Sequence, residues 1–103
     1  MNDAMGELAA RFRAEALETA NQITERIDSL QAATDPAATC EAIRGQAHEI
    51  RGAAGIFGFD ELKARAAELE ETAAAQAAAA DGSEAAARLR VVHAELIAAL
   101  PDE

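Results

Sequence analysis

Apolar side chains recur along most of the chain at alternating steps of three and four, the period of a helix that buries one face. Leu8, Phe12, Ala16, Ala20, Ile23, Ile27 and Leu30 follow it from about Gly6 to Ala32. Cys40, Ile43, Ala47, Ile50, Ala54 and Phe57 make a second seam. Phe59, Leu62, Ala66, Leu69 and Ala73 make a third, and Leu89, Val92, Leu96 and Leu100 a fourth. No segment alternates with period two, so no strand is predicted. Residues 1–5 read as a loose start. The first seam reads as one long helix; a break near its beginning, setting off a short lead-in helix, is left open. Arg11, Arg13, Glu15, Glu18, Glu25, Arg26 and Asp28 lie between its apolar positions as a solvated face.

The breaks between seams carry helix-end chemistry. Asp35 can cap free N–H groups, and Pro36 stands where its missing N–H does no harm. Gly58, expected just past the second helix, suits a left-handed stop. Asp60 is the expected cap of the third helix. The Ala73–Ala80 run is low in complexity, but Ala is the best helix former, so order is expected there. In Asp81-Gly82-Ser83, Gly82 is expected to take the left-handed stop and Ser83 to cap the fourth helix, which Pro101 closes. The predicted fold is all-α: an antiparallel up-down-up-down four-helix bundle over a single domain, residues 1–103, with the lead-in helix as an option.

Composition narrows the partners. Half of the 103 residues are hydrophobic but only 3% are aromatic, so the core must be built from Ala, Leu and Ile. The net charge of −10 makes nucleic acid or an anionic membrane surface an unfavourable partner. Cys40, the single cysteine, cannot form an internal disulfide and reads as a small seam residue in a reducing cytoplasm. No charged-then-apolar leader or long apolar run indicates secretion or membrane insertion. A monomer is expected.

The chemistry concentrates in the second helix. At about 100° per residue, His48 points away from the seam, and Glu41, Arg44, Gly45, Arg51, Gly52 and Gly55 share its side. A helical Gly is roughly 1 kcal/mol worse than Ala, so three on one face need a reason. Either another helix packs closely there, or an outside partner must reach the imidazole. The polar neighbours Arg44 and Arg51 favour the outside partner. His93, beside Val92 with Leu89 and Ile97 a turn away, reads as a structural or surface histidine at the edge of its seam. The two histidines are too far apart in sequence to form one helical metal pair, and the glycines lack the strand-then-loop context of a nucleotide phosphate loop.

The stretch Ala47–Phe59 resembles the signature of histidine-phosphotransfer (HPt) domains: a histidine, an apolar residue two on, Lys-Gly next, and Gly ten positions after the histidine. His48, Ile50, Gly52 and Gly58 match at that spacing, with Arg51 where the family usually has Lys. Residues 55–59, Gly-Ile-Phe-Gly-Phe, are also similar to the phosphotransfer domain of chemotaxis histidine kinases. The resemblance implies a phosphocarrier rather than an ATP-using enzyme, with response-regulator receiver domains, and a histidine kinase as a further option, as partners.

An exposed imidazole is neutral and nucleophilic enough at cellular pH to take a phosphoryl group. Such transfer needs in-line geometry and positive charge for the equatorial oxygens. On this reading His48 is the phosphoacceptor and Arg51, one turn on, stabilises phosphoryl charge. Gly52 and Gly55 leave room for the donor, and Arg44 extends the positive spot for docking. No cofactor is expected on this chain; Mg²⁺ and its acidic ligands would belong to the receiver. Two alternatives stay open: an adaptor that docks without being phosphorylated, and the phosphoacceptor module of a chemotaxis-type kinase.

Overall fold

The computed structural model describes residues 3–101. Four α-helices follow one another: α1 (Ala4–Ser29), α2 (Pro36–Phe57), α3 (Asp60–Ala79) and α4 (Gly82–Ala98), with a 3₁₀ turn over Leu30–Ala32 after α1. Consecutive helices lie side by side and α4 returns to α1, closing the antiparallel bundle the periodicity predicts. α2 and α3 are the most extensively packed pair. Ala47 and Ala54 from α2 and Ala66 and Ala73 from α3 are fully buried, and side chains this small let two helices approach closely.

The structure corrects the start of the first helix. α1 is continuous from Ala4, so the lead-in helix does not occur and the loose start does not extend past Asp3; residues 1 and 2 lie outside the described span. Leu8 is 48% exposed rather than core. With 26 residues α1 runs about 39 Å, against about 33 Å for α2, so its first turns pass the end of the bundle. Phe12, one turn further in, is where burial begins. Its ring stacks on Phe57 at 5.4 Å and on Phe59 at 5.9 Å, and these three, the only aromatic residues of the sequence, close that end.

The α2–α3 turn follows its sequence signals, with one shift. Asp35 caps α2 by accepting from Ala38 N–H at 3.1 Å. Gly58 is left-handed (φ 76°) and its N–H reaches Gly55 O, while Phe59 N–H reaches Ala54 O at 2.9 Å. Those two bonds satisfy two of the last four carbonyls of α2. Asp60 does not cap α3: it is already the first helical residue, where its charge and that of Glu61 complement the helix dipole.

The α3–α4 turn is built differently from the expectation. Ala80, not Gly82, takes the left-handed conformation (φ 57°), and Asp81, not Ser83, caps α4 by accepting from Glu84 N–H at 3.1 Å. Gly82 is helical and has another reason to be Gly: a Cβ there would collide with the Leu30 carbonyl oxygen. The close approach of α4 to the 3₁₀ turn claims the glycine, and Ala80 is left with a backbone that disfavours a side chain by roughly 1–2 kcal/mol. His93 is also more central than its edge position suggested. It is 3% exposed, with Nε2 2.9 Å from Ala20 O.

Candidate functional site

His48 lies in the middle of α2 on the side facing away from the core, its side chain 58% exposed. It is not free. Nδ1 is 3.0 Å from Oε2 of Glu70, which reaches over from α3. Glu70 is only 16% exposed in its side chain, and its Oε1 lies 3.2 Å from Nη1 of Arg51. One carboxylate thus bridges the imidazole and the guanidinium. Glu70 Oε1 is shut off from solvent and accepts no hydrogen bond among the described residues, so the nearby Arg51 charge is what compensates it.

The bridge fixes the imidazole tautomer. An ionised carboxylate only accepts, so Nδ1 must carry the hydrogen it donates to Glu70. In the neutral ring the lone pair is then on Nε2, the nitrogen on the far side of the ring from Glu70. A histidine held by one nitrogen and offered by the other has a single nucleophilic position in a defined orientation.

The remaining expected residues divide. Arg51 joins the cluster. Arg44 shares the face, but its Nε donates to Glu41 of the same helix at 2.8 Å, a bond that raises its pKa above the ordinary arginine value. It is a charge beside the cluster, not a member of it. Gly52 has open space where a Cβ would stand, and so does Gly45, so no helix of the bundle claims either. Gly55 is also exposed but has a neighbour: the Lys63 side chain from α3 lies 3.6–3.7 Å from its Cβ position, an ordinary van der Waals contact. His48 and Glu70 are the cluster's potential metal ligands, and among the described residues no group of three or more His, Cys, Asp or Glu side chains is gathered.

The sequence pattern did not single out Glu70, which lies on a different helix from His48. A signal was nevertheless present. In a tight antiparallel helix pair, residues equidistant from the turn face each other. His48 and Glu70 are each eleven positions from Phe59, and Gly55 and Lys63 each four.

Among the described residues no helix is long and apolar enough to cross a membrane. No curated protein and no solved structure matches the chain. The family model described as Hpt domain matches residues 7–102 of the 103, and the protein therefore belongs to that family, whose members serve histidine phosphotransfer in phosphorelays.

Proposed function

We propose that the protein is a monomeric, cytoplasmic phosphocarrier that accepts a phosphoryl group on Nε2 of His48 and passes it to or from aspartates of response-regulator receiver domains. The observation that carries this reading is the hydrogen bond from Nδ1 of an exposed histidine to a nearly buried carboxylate. In the forward step the Nε2 lone pair attacks the phosphorus of a receiver acyl phosphate in line with the bond to the aspartate oxygen. The N–P bond forms, the O–P bond breaks, and the aspartate carboxylate leaves with the electron pair. The ring becomes cationic as it loses that lone pair, and Glu70 beside Nδ1 balances the new charge. Arg51 turns its remaining N–H donors to the equatorial oxygens. The open Gly52 admits the partner's phosphorylated side chain, and Mg²⁺ with its acidic ligands comes with the receiver.

Incubation with a phosphorylated receiver tests this directly. The protein should gain one phosphoryl group, and His48→Gln should gain none while keeping its helical content. Label on His48→Gln, or no label on the unaltered protein from any receiver or kinase of the source cell, overturns the reading; the second outcome would leave the non-phosphorylated adaptor.

A second reading is favoured by the aromatic end closure. The Phe57-Gly58-Phe59 turn, stacked on Phe12, belongs to the run that is similar to chemotaxis-kinase phosphotransfer domains. In that case the first donor is a kinase acting on ATP, and the same labelling assay run with kinase and ATP in place of the receiver distinguishes the two.

A further inference from the structure

Most cations of this chain are already matched. Arg44 is held by Glu41, Arg51 by Glu70, Arg65 by Glu61 and Glu68, Arg88 by Glu84, and Arg90 by Asp28. Lys63 is the only lysine of the sequence, and no carboxylate among the described residues lies within 4.0 Å of its Nζ. Arg11, Arg13 and Arg26 also lack an ion pair among the described residues, but they belong to α1. Lys63 is on α3, and its Cδ, Cε and Nζ are all laid across Gly55 of α2.

That placement ties Lys63 to the face of His48. Gly55 follows His48 by seven residues, two helical turns, or about 10 Å along the axis. Gly52, with open space above it, lies between them. The end of the side chain, ammonium included, lies over the glycine while Lys63 stays exposed to solvent. The chain carries a net −10, so an acidic partner is repelled at long range, and attraction must come from the few unmatched positive charges at the contact itself.

We propose that Lys63 is a docking residue, its ammonium pairing with a surface carboxylate of the receiver domain as that domain closes over His48. The proposal rests on the phosphocarrier reading for the identity of the partner. The occupant is a protein surface rich in Asp and Glu around its own phosphoryl-bearing carboxylate. Arg44 and Arg51 have part of their charge committed to Glu41 and Glu70, whereas Lys63 has no ion pair among the described residues.

The test measures receiver binding and phosphoryl transfer separately, with an unphosphorylated receiver domain of the source cell as the binding probe. At low salt, Lys63→Ala should weaken binding roughly two- to fivefold, the scale of one exposed ion pair. Lys63→Glu should weaken it further, and Lys63→Arg should restore it. The difference should fade near 1 M salt, where charges a few ångströms apart are screened. A carbodiimide, which joins amines to carboxylates, should couple Lys63 to an Asp or Glu of the receiver, and the coupling should vanish in Lys63→Arg. The maximal transfer rate at saturating receiver should not change, because Lys63 is outside the His48–Glu70–Arg51 cluster. Equal affinity of Lys63→Glu and the unaltered protein at low salt overturns the proposal, as does the absence of receiver binding. Charge-dependent binding without label on His48 would overturn the phosphocarrier reading and leave the docking contact standing.

Discussion

Glu70 of α3 and His48 of α2, 22 positions apart in the sequence, meet at 3.0 Å across the helix pair. The contact turns a solvent-facing imidazole into an oriented one. With buried alanines on both α2 and α3 and the Gly58 turn joining the pair, the two helices run close together and the carboxylate reaches the ring directly.

The first expectation concerns that pair. Glu70→Ala should slow phosphoryl transfer about 10- to 100-fold, taking a hydrogen bond to a charged group as the scale. Glu70→Gln, whose amide oxygen can still accept from Nδ1 but carries no charge, should fall between. Both variants should keep the helical content, since Glu70 is beside the core and not in it. Transfer at the unaltered rate in Glu70→Ala would mean that the carboxylate does not act on the imidazole.

Arg51 is expected to matter for two reasons that can be separated. Arg51→Ala removes charge from the phosphoryl oxygens and should raise the barrier by about 2–3 kcal/mol. It also strips the partner from the shielded Oε1 of Glu70, so it should lower the thermal midpoint as well. Arg51→Lys keeps a positive charge and should transfer within roughly tenfold of the unaltered protein. If Arg51→Ala transfers as fast as the unaltered protein, Arg51 does not touch the phosphoryl group.

His93 makes stability depend on pH. Its Nε2 donates to Ala20 O, its Nδ1 has no partner among the described residues, and burial pulls its pKa below the ordinary 6.5, although the Ala20 carbonyl pushes the other way. The folded state therefore binds the proton less readily than the unfolded chain. Well above pH 6.5 both states hold a neutral ring and the term vanishes. As pH falls below 6.5 the unfolded state takes up a proton first, and stability drops until the folded pKa is passed. Thermal melts between pH 7.5 and about pH 5 should show this decline, and His93→Gln should flatten it. A decline of the same size in His93→Gln would assign it to other groups.

The bundle was legible because its signals are local: seams at helical period, Asp35 before Pro36, and a glycine at the end of α2. What escaped depends on contacts between distant parts of the chain. Leu8 has the right period, but no opposing helix is long enough to cover it. Gly82 reads as a turn glycine until the Leu30 carbonyl is found against it, and then the left-handed position has to pass to Ala80. At the site, His48, Arg51 and Gly52 announced themselves through their spacing on one helix. Glu70 did not, because one Glu among Glu68, Glu70 and Glu71 is ordinary until the register across the turn is counted. Gly55 looked like Gly52 in the sequence, yet a lysine side chain from the neighbouring helix lies against it.

The glycines give the last expectation, since the two kinds should respond oppositely. Gly52 has no atom within 4 Å of the place where an alanine methyl would stand, and Gly82 has the Leu30 carbonyl inside contact distance. Gly52→Ala should therefore stabilise the bundle by up to about 1 kcal/mol through helix propensity alone. Gly52→Gln should also leave the fold standing, with its side chain directed to solvent. Gly82→Ala must push α4 off the 3₁₀ turn and should cost about 1–3 kcal/mol. Transfer should follow a different order. Both Gly52 variants should be slower, the Gln far more so, because a side chain beside His48 holds the partner's phosphoryl group away. Gly82→Ala should transfer normally wherever it is still folded, since that turn is at the opposite end of α3 from the Gly58 turn. Thermal midpoints and transfer rates measured on these three variants decide the point. A destabilised Gly52→Gln, or one that transfers at the unaltered rate, would show that Gly52 is not there to admit a partner.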